Sequence, residues 1–339
     1  MATQTGKMPV SRFLKEQRME LPFPSTPLDG KTVLITGANS GVGLEAARHC
    51  VRLNAENLII TTRTIAKGEA AKENLLKSNP ESKTNISVYT ANYSSFASIK
   101  AFADKLVSEV PKLDIVILNA GINSREWNVT EDGWEEVLQV NVLSTVYLSL
   151  LLLPKIRESY DASASLMPTL VIVTSDTHYW ASFKQRSQAD EKLGILNAMN
   201  TESVSSNSDK YFMSKLLEIY FLRELAKWVD RNYNGEVVVT GVNPGLCHSE
   251  LVRETGLVKM FVDGFKWVLA RTAEVGSRNY IWAATAGKQA HGQYVGSCEV
   301  QKAAVVVTSE EGQKLGLKVY EEIGEVVTGI DERVKVFFQ

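Results

Sequence analysis

Cysteine is rare in this 339-residue chain: Cys50, Cys247 and Cys298 are the only three, an odd number and far apart. That excludes a disulfide framework and fits a reducing compartment. Histidine is nearly as rare. His49, His178, His248 and His291 show no HExxH spacing and no CxxC motif accompanies them, so no metal site is expected. An excess of one charge is missing too: 37 basic against 39 acidic side chains leave a formal charge of −2. A nucleic-acid binder should be basic and should carry blocks of like charge, and neither is present. Long hydrophobic runs are lacking as well. The most apolar stretch, residues 146–153, contains Ser149 and stops at Pro154-Lys155, short of the roughly 20 residues a bilayer span needs. Arg12, Lys15, Glu16 and Arg18 near the start flank no apolar core, so no secretory signal is read, and the final Val-Phe-Phe-Gln matches no peroxisomal or prenylation address. These absences point to a cytoplasmic protein without a membrane span.

What is present is an alternation. Residues 1–28, with Pro9, Pro22, Pro24 and Pro27, show no sustained period and read as a tail laid over the surface. From residue 29 to 339 the chain reads as one domain. Short β-branched runs at 32–36, 58–62, 86–90, 115–118, 170–174 and 237–242 alternate with amphipathic stretches at 42–53, 66–77, 96–110, 132–156 and 211–231. Strands alternating with helices of ten or more residues mean βαβ units and a parallel sheet. The fold class expected is therefore α/β: a single-domain Rossmann-type doubly wound sheet with helices on both faces and a switch point beside the first strand. Two insertions break the rhythm. Residues 176–208 are rich in Ser, Asn and Asp; residues 246–272 carry Leu251, Val252, Met260, Phe261, Phe265 and Trp267 at roughly helical spacing. Both follow carboxyl ends of strands, where ligands bind, and they read either as substrate-pocket walls or as a surface insertion and a packing helix.

The first strand runs into Thr36-Gly37-Ala38-Asn39-Ser40-Gly41-Val42-Gly43, a GxxxGxG loop that opens a helix. Glycines let backbone approach a pyrophosphate, and the helix N-terminus offers free N–H groups and a positive dipole. No Lys follows the last glycine, so it is not an ATP loop. The second strand ends in Thr61-Thr62-Arg63-Thr64 without a carboxylate. An acidic residue there would bind a ribose 2′-hydroxyl, whereas Arg63 offers a donor fork suited to a 2′-phosphate, so NADP(H) is expected over NAD. Further along, Tyr211 and Lys215 stand one helical turn apart on one face, soon after the strand ending Val173-Thr174-Ser175.

Residues 36–43, Asn119-Ala120-Gly121, Asn141, Ser175, Tyr211 with Lys215, and Pro244-Gly245 together resemble the ordered motif set of the short-chain dehydrogenase/reductases, from about residue 31 to 245. The wording of the motifs is similar to the retinol-dehydrogenase-like and WW-domain-oxidoreductase-like branch, fungal biosynthetic members above all. The resemblance implies that Tyr211 is the general acid, that Lys215 lowers the Tyr211 pKa and holds the nicotinamide ribose, that Ser175 bonds the substrate oxygen, and that Asn141 holds a water in a proton relay. It implies cofactor contacts at Gly37, Asn39, Ser40, Gly41, Val42, Gly43, Arg63, Asn92, Asn119, Ala120, Gly121, Pro244, Gly245 and Ser249, beside Tyr211 and Lys215. Relatives often pair through helices corresponding to 132–156 and 211–231, which would make a homodimer. Two departures stand out. Asn92 replaces an Asp that commonly accepts a bond from the adenine amine, and the Ser175–Tyr211 separation of 36 residues (211 − 175) is long. Asp176, His178, Tyr179 and Trp180 follow Ser175 directly, as substrate contacts or as packing. Neither a retinoid-type membrane anchor nor a WW module is present, so those relatives' substrates are not carried over. The reading that results is an NADP(H)-dependent oxidoreductase acting on a carbonyl or alcohol of an apolar or aromatic small molecule, in secondary metabolism. A cyclase or dehydratase using the same pocket, and a non-catalytic NADP-binding sensor, are the alternatives.

Overall fold

The computed structural model describes residues 7–182, 194–205, 209–248 and 269–339. Continuous aliphatic and β-branched runs form β1 (Thr32–Thr36), β2 (Asn57–Thr62), β3 (Asn85–Thr90), β4 (Ile115–Leu118), β5 (Thr169–Val173) and β6 (Val238–Asn243). Every residue of β1, β4, β5 and β6 is buried, as strands covered on both faces require. Two short strands that the pattern does not announce, β7 (Tyr294–Gly296) and β8 (Glu299–Gln301), extend one edge. The order is β3-β2-β1-β4-β5-β6-β7-β8, parallel except for the β7–β8 pair. The chain winds outward in both directions from β1 and β4, so the switch point lies between those strands, as expected.

Alternate strand residues serve opposite faces. Leu34, Ile59, Val116 and Ile172 pack against a core that includes the helices Phe96–Glu109, Ser144–Arg157, Lys210–Tyr233 and Glu310–Ile330. Val33, Ile35, Ile60 and Val171 pack against Gly41–Arg52, Ile65–Ser78 and Ala273–Thr285. The single helix expected over 132–156 begins later. Thr130 and Trp134 close a turn, a π-helical turn follows at Leu138–Leu143, and the regular helix starts at Ser144. Residues Leu138–Arg157, 20 in all, are long and apolar enough to cross a bilayer, but 83% of their most apolar window is buried inside this fold. They form a core helix.

Both ends of the chain are used in ways the sequence pattern does not show. The segment read as an aperiodic tail contains the helix Val10–Gln17, and Met8, Leu21 and Leu28 are buried. Eight residues are too few for a clear period, and tertiary bonds hold them instead. At the other end, the helix Glu310–Ile330 and the turn Glu332–Phe338 cover the two helices through which pairing was expected. Phe221 stacks on Tyr320 with ring centres 5.7 Å apart. The Trp228 indole donates to Val336 O at 3.2 Å, and Tyr147 Oη donates to Asp331 Oδ2 at 3.0 Å. Pairing through the covered faces would have to displace the chain's own residues.

His178 belongs to this packing. It is 1% exposed, in the 3₁₀ turn Asp176–Trp180. Its Nε2 accepts from Ala304 N at 3.1 Å, so Nδ1 carries the hydrogen and donates to Ser175 O at 2.6 Å. The bond from Ala304 N needs a neutral ring, and burial lowers its pKa to about 4. A histidine with a depressed folded pKa stabilises fully above the free value of about 6.5 and loses that contribution as the pH falls through the window toward 4. The free-energy difference between the parent chain and His178→Gln in urea unfolding should therefore be largest at pH 7.5. It should shrink by about 2 kcal/mol at pH 5. A difference independent of pH would show that the ring is not held neutral.

Candidate active site

The carboxyl ends of the parallel strands surround a cavity of about 690 Å³. At the switch point the loop after β1 turns through Gly37 (φ +64°) and Gly41 (φ +58°), a left-handed backbone that favours glycine. A Cβ on Gly43 would stand 2.5 Å from Asn119 Nδ2 and 2.9 Å from Gly37 O, so only glycine lets the new helix sit this close. The Ser40 side chain does not cap the helix Gly41–Arg52, which leaves its first N–H groups facing the cavity. Asn39, Ser40, Gly41, Val42 and Gly43 line it. These features fit a dinucleotide pyrophosphate.

Arg63 and Asn92 also line the cavity, with Lys67 beside them. Lys67 escapes a motif search because it lies four residues beyond Arg63, inside the next helix. Asn92 Oδ1 already accepts from Ser94 N at 3.1 Å, which leaves one lone pair for an adenine amine. Asn119, Ala120 and Gly121 line the middle of the cavity. The Asn119 side chain is used within the protein: Nδ2 donates to Thr36 O at 2.8 Å and Gly37 O at 3.1 Å, and Oδ1 accepts from Tyr280 Oη at 3.0 Å. Its part is to fasten the glycine loop to β4.

Ser175, Tyr211 and Lys215 converge on one wall, although 36 residues (211 − 175) separate the first two in sequence. Tyr211 is half-buried on the helix Lys210–Tyr233. Burial first, then the carboxyl groups of Glu218 and Asp176, raise its pKa above that of an ordinary phenol, against a hydrogen bond with Ser175. Lys215 is not among the groups that lower it here: its Nζ is bound to Glu218 Oε1 at 2.8 Å and to Val173 O at 2.9 Å. Its positive charge is answered by a carboxylate before it reaches the phenol. Ser175 Oγ donates to Asp176 Oδ1 and accepts from Thr177 N, both at 3.2 Å. Burial lifts the Asp176 carboxyl to about 6.

Asn141 is fully buried and does not line the cavity. Its Nδ2 donates to Ile122 O at 2.9 Å and Ser214 Oγ at 3.0 Å, and its Oδ1 accepts from Ile122 N at 2.9 Å. The side chain ties the loop after β4 to the helix that carries Tyr211. Pro244 and Gly245 line the cavity, and Gly245 adopts φ +79°. Ser249, like most of the insertion 246–272 and residues 183–193, lies outside the described residues. His178 and Tyr179 pack, whereas Asp176 and Trp180 face the cavity.

Sequence reading missed the contribution of the N-terminus. Val10 and Phe13 line the cavity, and Phe13 meets Trp180 edge-on with ring centres 5.8 Å apart. Gln17 Nε2 donates to Leu246 O and Leu269 O, and Oε1 accepts from Leu246 N, each at 3.0 Å. No local signal announces these long-range bonds.

A sequence model of the short chain dehydrogenases matches residues 31–167. The chain is 38% identical over 314 residues to a short chain dehydrogenase/reductase, dmxR8, of Cryptosporiopsis sp., covering 92% of this chain and 95% of that one. It is 37% identical over 289 residues to the short chain dehydrogenase atnD of Emericella nidulans, covering 84% and 90% respectively. A Shigella flexneri chain whose structure is complexed with NADP superposes with a TM-score of 0.56 at 20% identity, over 80% of this chain and 98% of that one, a likeness of fold. Relatives this similar, matched along nearly their whole length, make the chain a member of the short-chain dehydrogenase/reductases, a family of oxidoreductases that use a nicotinamide cofactor.

Proposed function

We propose that the protein is an NADP(H)-dependent reductase of a carbonyl on an apolar or aromatic small molecule, working in secondary metabolism. The observation that carries this reading is the meeting of Ser175, Tyr211 and Lys215 on the same cavity whose far end holds the glycine loop and the Arg63–Lys67 pair. Two cations with no carboxylate between them favour a 2′-phosphate. The aromatic wall of Phe13, Trp180 and Phe212 favours a flat, apolar substrate.

The nicotinamide supplies the hydride when bound. The chain's own residues handle the oxygen. Ser175 turns its hydroxyl from Asp176 to the substrate carbonyl and orients it. Tyr211, kept protonated by burial and by two carboxyl groups, gives its phenolic proton to that oxygen as negative charge develops. Lys215 holds the ribose with the donor not engaged by Val173 and Glu218. A phenol held above its ordinary pKa suits a proton donor, which favours reduction over alcohol oxidation.

Two variants test this reading. Arg63→Ala should weaken NADPH binding tenfold to a hundredfold, about 1.5–3 kcal/mol for a charge-assisted contact, and change NADH binding little by calorimetry. Equal losses for both cofactors would remove the case for NADP(H). Tyr211→Phe keeps the ring and removes the proton donor. With NADPH oxidation followed over a panel of aromatic ketones and quinones, turnover should fall by about a hundred- to ten-thousandfold while NADPH affinity is retained. A mutant reducing its substrate at the parent rate would make Tyr211 a packing residue and the chain no Tyr-dependent reductase.

A further inference from the structure

One buried acid beside the site belongs to none of the sequence motifs. Glu218 lies one turn beyond Lys215 on the same helix and is 2% exposed. Its Oε1 takes the Lys215 ammonium at 2.8 Å, and its Oε2 finds no hydrogen-bond partner among the described residues. A buried carboxylate is costly, and a glutamine of the same shape could accept the same bond. Packing alone gives no reason for the charge.

The surroundings supply one. Lys215 Nζ is drawn to Val173 O at the end of β5, 2.9 Å away, and lies 5.7 Å from the Tyr211 ring centre. The groups facing Glu218 are Lys215 and Tyr211 from its own helix, Thr174 beyond β5, and Tyr280 from the helix Ala273–Thr285. Asp176 is the other carboxyl that acts on Tyr211. An ammonium alone beside a phenol makes it acidic; the same ammonium locked to a carboxylate does not.

We propose that Glu218 is a positioning residue that clamps the Lys215 ammonium to the end of β5 and offsets its charge, so that Tyr211 is held as a phenol ready to give a proton. The inference rests on the reductase reading, in which Tyr211 is the donor. It makes Glu218 a determinant of the Tyr211 protonation state: with the carboxylate in place the phenol stays protonated, as reduction needs, and without it the phenolate that alcohol oxidation needs is easier to form. Burial, against the pull of Lys215, holds the Glu218 carboxyl above the ordinary carboxylate range.

The test reads Tyr211 directly and needs no substrate. The full chain is labelled with 3-fluorotyrosine, the Tyr211 fluorine resonance is assigned by its loss in Tyr211→Phe, and its titration midpoint is followed by fluorine NMR. Glu218→Gln, which keeps the hydrogen bond and drops the charge, should lower the midpoint by about one pH unit. Glu218→Ala, which leaves room for a water, should move it the same way, so the test survives if one variant folds poorly. Glu218→Asp, which keeps the charge, should leave the midpoint near that of the parent. A midpoint unmoved by Gln and Ala, or moved equally by Asp, overturns the proposal. The turnover of Tyr211→Phe answers separately whether the reductase reading itself stands.

Discussion

The close approach of three backbones at the switch point governs the geometry of the whole site. Thr36 Oγ1 accepts from the N–H groups of both Asn119 and Ala120 at 3.0 Å, while Asn119 donates back to Thr36 O and Gly37 O. Tyr280, from a helix on the far side of the loop, closes the knot on Asn119 Oδ1. No side chain can enter it: a Cβ on Gly37 would touch Ala120 Cα at 3.0 Å, and one on Gly43 would strike Asn119. The glycine loop, β4 and the helix that opens at Gly41 are thereby fixed relative to one another. Everything the cavity does at either end is measured from that point.

From the knot outward, the catalytic wall is built in layers. Asn141 and Ser214 tie the loop after β4 to the helix of Tyr211, and Ser214 Oγ donates in turn to Tyr211 O at 2.8 Å. Next to Tyr211, Lys210 buries its ammonium against Glu135 Oε1 at 2.9 Å and Glu126 O at 2.7 Å, which pins the segment between β4 and the π-helical turn. Lys215 and Glu218 form the layer beneath. Buried ion pairs contribute little net stability, and their worth lies in fixing one arrangement of the chain. Here two such pairs, Lys210–Glu135 and Lys215–Glu218, flank the proposed proton donor.

The two ends of the chain enclose this centre. The helix Val10–Gln17 reaches across to the residues that border the segment 249–268, and Arg271 donates to Glu16 O from the other side. Residues 305–330 seal the opposite face of the Tyr211 helix through Tyr220, whose hydroxyl donates to Val306 O at 2.7 Å, and through the Phe221–Tyr320 stack. One end shapes the aromatic part of the cavity. The other covers the helices through which pairing was expected.

The sequence by itself determined the doubly wound sheet, the place of the glycine loop and the order of Ser175, Tyr211 and Lys215. Those follow from local rules: continuous apolar strands alternate with amphipathic helices, glycine is needed at positive φ, and a spacing of four puts two side chains on one helical face. Tertiary structure alone decided the rest. That Asn141 is spent on Ile122 and Ser214, that Lys215 is answered by Glu218, and that Phe13 meets Trp180 across the cavity depend on contacts between residues remote in sequence or on burial that no spacing reports. A single strand carries its period within itself. The charge on a buried group depends on every element that closes around it, and only the folded chain brings those elements together.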